Sequence, residues 1–383
     1  MDPTLHYAAV IDVGRPRGAE DLRAYCASLA DAFAWEDIRG AAMARKWAKR
    51  VGVAKMRVAR VGGRVAGGLV VYEMGQWFGG RRVPMTGVAA VGVSPEHRSR
   101  GVASRLMRAA VEEMRTPLAC LYPATQPVYR RVGFEQAGTY VAYTLPTRTI
   151  DARDRALAMR AASRSDERTI RRINAEAARR TNGVLDRCEP LWERIFRPFH
   201  GRNTAYLAGD EGYVIFGLEP GRQAGHYDLY VRDMAALTPA AGRRLLTFFA
   251  DHRSLGDSVK FAGGPQAPLL MLAAEQEAEV TRVVRWMLRL IDVKGALEAR
   301  GYGAVEAEAH LDVRDDVLPR NHGRWVLAVS HGRARVRKGG RGAVKIDVRT
   351  LASLYSGYVS PAELGIDMPA VFAGPSPWMG EIF

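Results

Sequence analysis

Residues 91–103 read Val-Gly-Val-Ser-Pro-Glu-His-Arg-Ser-Arg-Gly-Val-Ala, and they join two segments of different periodicity. Before them, Val88 to Val93 is a run of small apolar residues suited to a buried strand. After them, Val102, Leu106, Met107, Ala110, Val111 and Met114 recur at helical spacing, so one helix face is buried. A strand feeding an amphipathic helix, with a second apolar run at Leu118 to Tyr122, implies a mixed α/β sheet with a crossover. The turn itself carries chemistry. Backbone N–H groups are free at a helix N-terminus, and the dipole there favours negative charge. Gly101 lets a ligand approach the backbone, and Arg98 and Arg100 are cationic donors suited to phosphate. Cations in that place oppose the dipole unless an anion sits between them. The segment reads as a pyrophosphate seat. The competing reading, an ordinary turn with solvated arginines, leaves the clustering of Arg98, Arg100 and Gly101 unexplained.

At 383 residues the chain predicts two or three domains. Its 48% hydrophobic and 25% charged residues are globular proportions. No stretch approaches the roughly 20 apolar residues of a membrane span, and the start has neither a secretory pattern nor Met-Gly. Three scattered cysteines, Cys26, Cys120 and Cys188, offer no zinc spacing and no disulfide framework, which fits a cytoplasmic protein. The formal charge of +15 raises nucleic-acid binding, but the arginines are spread along the whole chain. The reading without nucleic acid is a composition bias plus a site for an anionic cofactor.

Three blocks follow. Residues 1–148 contain a helix from Leu22 to Ala32, a hairpin from Arg57 to Tyr72, the strand–turn–helix, strands at Leu118 to Tyr122 and Tyr140 to Leu145, and a short helix and turn from Tyr129 to Phe134. Residues 149–292 echo that order, with paired strands at 205–208 and 213–217, a strand at 227–231 and a helix at 240–250. No Arg-x-x-Gly-x-Gly/Ala precedes Gly242-Arg243-Arg244, so this block reads as a second copy that binds no cofactor. Residues 293–383 carry four strand-like runs, at 307–313, 323–330, 332–337 and 343–348, and a helix from Leu351. In the third run Arg333, Arg335 and Arg337 share one face by period two, which reads as a solvated sheet face.

Four features in series identify a resemblance: Val91 to Ala103; Pro127-Val128-Tyr129-Arg130-Arg131-Val132-Gly133-Phe134; Trp286 to Val293 with Ala296 to Tyr302; and Asn321 to Leu327 with Leu351 to Gly357 and the final Phe383. Together they resemble the Eis (enhanced intracellular survival) family of bacterial N-acetyltransferases of the GNAT superfamily. The resemblance spans essentially the whole chain. It implies an α/β (α+β) fold of tandem GNAT-like domains, catalytic at 1–148 and degenerate at 149–292, followed by a sterol-carrier-protein-like domain at 293–383. It also implies acetyl-CoA as co-substrate, a cationic amine acceptor such as an aminoglycoside, no metal, no membrane and a homo-hexamer.

The resemblance assigns roles residue by residue. The backbone of Val91 and Val93 lines the pantetheine arm and thioester; Arg98, Ser99, Arg100, Gly101, Val102 and Ala103 hold the pyrophosphate. Ser99 stands where the family often has another arginine, so a cation is lost there. Tyr129 matches the general acid, a phenol of ordinary pKa about 10 facing a thiolate of about 8.5; its alternative role is a core anchor. Phe383 is the residue whose terminal carboxylate acts as base, and Glu381 lies beside it, displaced by one from the family's usual Glu-Phe ending. Phe33, Trp35 and Glu36 fall in the segment that binds the acceptor, where rings and carboxylates suit ammonium groups. His97 belongs to the turn, and Trp77 and Phe78 are further wall candidates. The runner-up reading is a non-enzymatic carrier of an apolar ligand with a vestigial acetyltransferase half. The intact Arg98–Ala103 motif and Tyr129 oppose it.

Overall fold

The computed structural model describes residues 10–374 and 377–380. The first unit contains β1 (Ile11–Gly14), α1 (Ala19–Phe33), α2 (Ala41–Val51), β2 (Met56–Val61), β3 (Arg64–Phe78), β4 (Arg81–Val93), α3 (Val102–Glu113), β5 (Leu118–Leu121), α4 (Gln126–Arg130) and β6 (Glu135–Pro146). The second contains β7 (Met159–Ala161), α5 (Glu167–Ala178), β8 (Leu185–Asp186), α6 (Glu189–Phe196), β9 (Thr204–Ala208), β10 (Gly212–Pro220), β11 (Tyr227–Ala236), α7 (Pro239–Ala250), β12 (Gly256–Gly263) and β13 (Glu279–Leu290). The third contains α8 (Val293–Ala299), β14 (Ala307–Arg314), β15 (Gly323–Ser330), β16 (Arg333–Lys338), β17 (Val344–Asp347) and α9 (Val348–Ser356).

The first two units share one sheet, ordered β1-β2-β3-β4-β5-β13-β6-β12-β11-β10-β9-β7, with β8 on β3. Thus β13, late in the second block, threads between β5 and β6 of the first. A boundary at 148 divides the sequence but not the sheet. The reason is pairing: β6 needs a neighbour on each side, and β12 and β13 supply them. Trp286 to Leu290, which the sequence pattern marks as apolar, is fully buried in that slot.

Period-two alternation puts Val58, Val70, Met85, Cys120 and Leu288 on one face of the first half-sheet, under α1, α2 and much of the third domain. Ala59, Leu69, Val88, Ala119, Leu121 and Met287 face the other way, under α3 and α4. The predicted apolar stripe of α3 is buried as expected. The third domain's sheet runs β16-β15-β14-β17, and Arg333, Arg335 and Arg337 are exposed on it.

Candidate active site

β4 and β5 run parallel and pair only from Met85–Leu118 to Gly87–Cys120. Beyond that point β4 continues to Val93 along β3 alone, while β5 turns to β13. The two strands part, and among the described residues the inner edge of Val88–Val93 has no ladder partner. A bulge in β4 opposite Gly68 and Val70 disturbs the same stretch, with Ala90 at φ 51°. The Tyr25 hydroxyl donates to the Ala90 carbonyl at 2.6 Å, and Ser28 and Ser94 share a hydrogen bond at 2.7 Å. Helix α1 therefore pins the bulge from one face. Val91 and Val93 are half-buried at this edge.

The chain then makes a short helical turn at Pro95–His97 and enters α3. His97 is part of that turn, as its place in the motif indicates. Ser99 has φ 60° and Gly101 φ 81°. At Gly101 only a residue without Cβ adopts this conformation at no cost, and space around it is open. No side chain caps α3, and its first turn carries no acid. Arg98, Ser99, Arg100 and Gly101 are exposed, Ala103 is partly buried and Val102 is in the core. The first N–H groups of α3 have no intrahelical acceptor, and Arg98 and Arg100 stand immediately before them in the chain. Arg98 Nε donates to the Val93 carbonyl at 3.3 Å, tying the turn to the strand. A helix start of this kind is suited to an anion, and it lies where the strands part.

Tyr129 sits on the α3 face, buried in one cluster with Val102, Leu106 and Phe134. Its ring meets Phe134 edge-on at 6.5 Å. Burial alone pushes its phenol up to about 12. The protonated form persists throughout the neutral range.

The opposite face of the gap is closed by the tail. Met379 is fully buried; Cys120 Sγ lies 3.5 Å from its sulfur, and the Tyr122 hydroxyl donates to its carbonyl at 2.5 Å. Trp378 bridges Thr139, its amide donates to the Asn182 carbonyl at 3.1 Å, and the Met379 amide donates to the Thr139 carbonyl at 3.3 Å. Residues 377–380 thus run along the end of β5, at the seam between the first two units. Glu381 and Phe383 lie outside the described residues. Burial pushes the Cys120 thiol up, so it is a packing group and not a nucleophile.

The acceptor candidates gather elsewhere on the tail's side of the sheet. Phe33 is 47% exposed at the end of α1. Trp35 stands edge-on to Trp47 at 6.1 Å and packs on Phe199 of the second unit at 6.3 Å. Glu36 pairs with Arg39 at 2.7 Å, which also takes Asp31 at 2.5 Å. These carboxylates are occupied by an arginine. Trp77 lies in a small cluster with the tail's Trp378, whereas Phe78 is fully buried against Tyr355 at 5.1 Å and belongs to the core. The sequence brings out the motif by its spacing and Tyr129 by resemblance, but not the grouping of Cys120, Tyr122 and Met379, which no local pattern links.

Residues 15–137 match the acetyltransferase (GNAT) domain family, 183–290 match a second acetyltransferase (GNAT) domain family, and 293–366 match the sterol carrier protein domain family. A GCN5-related N-acetyltransferase of Anabaena variabilis superimposes with a TM-score of 0.91 at 35% identity, covering 98% of this chain and all of that one. An uncharacterized N-acetyltransferase of Streptomyces griseus is 31% identical over 80% of this chain and 83% of its own. N-acetyltransferase Eis of Mycobacterium tuberculosis is 27% identical over 72% and 71%. The chain belongs to the Eis-like family of GNAT N-acetyltransferases. It is therefore an acetyltransferase, with two GNAT domains and a C-terminal sterol-carrier-like domain, and its family uses acetyl-CoA.

Proposed function

We propose that the protein transfers an acetyl group from acetyl-CoA to the amine of a cationic acceptor, with aminoglycosides the class to test first. One observation carries the reading. The unpaired stretch of β4 opens between an uncapped, arginine-flanked helix start and Tyr129 on one face, and the buried tail on the other. In this reading the pyrophosphate occupies the turn from Arg98 to Ala103, and the pantetheine arm runs along Val91 and Val93. The acceptor arrives from the face of Trp35, Glu36 and the tail.

The amine nitrogen attacks the acetyl carbonyl carbon, the C–N bond forms, the C–S bond breaks, and the amine releases a proton. The Tyr129 phenol, held near 12, is a weaker acid than a thiol of about 8.5. Burial that raises the phenol also raises a thiolate leaving beside it, so Tyr129 is placed in this reading as the donor to the charge that develops on sulfur. The carboxylates of Glu381 and Phe383 keep their proposed places as acceptor and base groups. A cytoplasmic hexamer is the assembly proposed with this function.

The test is acetyl-CoA-dependent thiol release over a panel of aminoglycosides, polyamines and lysine peptides. Release with one class fixes both reaction and acceptor. No release, together with no acetyl-CoA binding by calorimetry, overturns the reading in favour of an apolar-ligand carrier.

A further inference from the structure

The third domain touches the turn that carries Tyr129 at two points directly, and at a third through an arginine of the second unit that its Asp315 holds. First, Arg349 of α9 donates from Nε to the Arg130 carbonyl at 2.7 Å, next in sequence to Tyr129. Its other nitrogens are fixed by Asp347 at 3.0 Å and Asp316 at 3.0 Å, so the guanidinium is clamped from its own side. Second, Arg289 of β13 is fully buried, and its guanidinium lies so close to Gly133 that a Cβ there would meet it at 2.6 Å. Gly133 has φ 87°, so the turn is built for that approach. Arg289 Nη2 is held by both Asp315 oxygens, at 2.8 and 2.7 Å. Third, Asp315 Oδ1 accepts from the Val317 and Leu318 amides at 3.0 Å, and those two side chains complete the cluster around Tyr129.

These contacts exceed what fastening two domains requires. Gly133 and Phe134 already close the turn on the Arg130 and Tyr129 carbonyls, at 3.0 and 3.2 Å. Arg349 adds a charged donor to a carbonyl within it, and Arg289 blocks its collapse from beneath. We infer that the sterol-carrier-like domain positions the Tyr129 hydroxyl, with Arg349 and the Arg289–Asp315 pair as positioning residues for the transfer step. The inference rests on the proposed role of Tyr129. A hydroxyl displaced by about 1 Å loses a transition-state hydrogen bond while the pyrophosphate seat at α3 is unaffected.

The test uses the full-length protein with acetyl-CoA and the most active acceptor of the panel. Arg349→Ala should lower kcat about 10-fold with the acetyl-CoA KM within about twofold of the parent. Arg349→Lys, which can still donate to the Arg130 carbonyl, should recover most of the loss. In a Tyr129→Phe background the Arg349→Ala change should cost less than about twofold, because the two act through one group. An acceptor-independent measurement accompanies it: amide exchange in residues 126–135 should quicken about fivefold or more in Arg349→Ala, with residues 102–113 unchanged. A Tyr129→Phe enzyme at full rate sinks the role of Tyr129 itself. A slow Tyr129→Phe enzyme with a normal Arg349→Ala enzyme, with additive losses, or with unaltered exchange at 126–135, overturns the positioning role alone.

Discussion

The starts of α3 and α7 occupy corresponding places in the two halves of the sheet, and they are finished differently. Each follows a bulged strand, β4 or β11, and each leads to a parallel partner, β5 or β12. At α3 the chain arrives through Ser99 and Gly101 in left-handed conformation, no side chain caps the helix, and two arginines stand by. At α7 Thr238 accepts from the Ala241 amide at 3.1 Å, Pro239 removes one N–H, and Glu211 accepts from the Thr238 hydroxyl at 2.5 Å. The protein's own oxygens occupy the place where the first unit leaves room for an anion. The strand gap differs in the same sense. Near the β11 bulge, Asp233 binds Arg187 through both oxygens at 2.9 Å and accepts from the Tyr213 hydroxyl at 2.5 Å. Tyr213 in turn accepts from Asn174 at 3.0 Å. Gly242, Arg243 and Arg244 lie inside α7 and form no turn. One topology thus carries an uncapped helix start, where the anion seat is proposed, and a closed structural joint where the helix start is satisfied internally.

That contrast can be broken at either end. The largest effect is expected from Gly101→Asp, which places a carboxylate in the open seat. Acetyl-CoA affinity measured by calorimetry should fall about 100-fold, while the melting temperature moves by about 2 °C. Undiminished affinity would show that the α3 start is no more an anion site than that of α7. Next, Arg98→Ala with Arg100→Ala should weaken acetyl-CoA binding about 10-fold at low salt. The salt dependence of binding should flatten in parallel. An unchanged salt slope would assign the arginines to solvent. The smallest effect is expected at the closed end. Thr238→Ala should lower unfolding stability by about 1 kcal/mol in urea titrations and leave acetyl-CoA affinity as it was. A loss of affinity there would mean that the second unit also holds cofactor.

Periodicity and turn chemistry made much of this protein legible. The helix at 102–113, the strands flanking it, the hairpin read at 57–72, which the structure extends to Phe78, and the four strands of the third domain follow from local apolar spacing and glycine turns. The motif from Arg98 to Ala103 is contiguous, so its chemistry can be read from the chain before its shape is known. Within Glu279–Leu290 only Trp286–Leu290 stands out in the sequence, as part of a motif of the resemblance, and neither the strand nor its place between β5 and β6 can be read, because strand order depends on which edges remain unpaired after the units fold. The same holds for Met379 against Cys120, for Trp35 against Phe199, and for Asp315, Arg289 and Gly133 in line behind Tyr129. Each joins residues far apart in sequence through burial and long-range pairing, and no local pattern encodes such a contact. The sequence by itself determined that a glycine- and arginine-bearing helix start and a phenol exist. Tertiary structure decided that Tyr129 and the start of α3 share one cluster, that Met379 packs on Cys120 and Tyr122 on the other face of the sheet, and that Arg349 of the third domain reaches the turn after Tyr129. Those outcomes belong to packing, which brings together side chains that no local spacing relates.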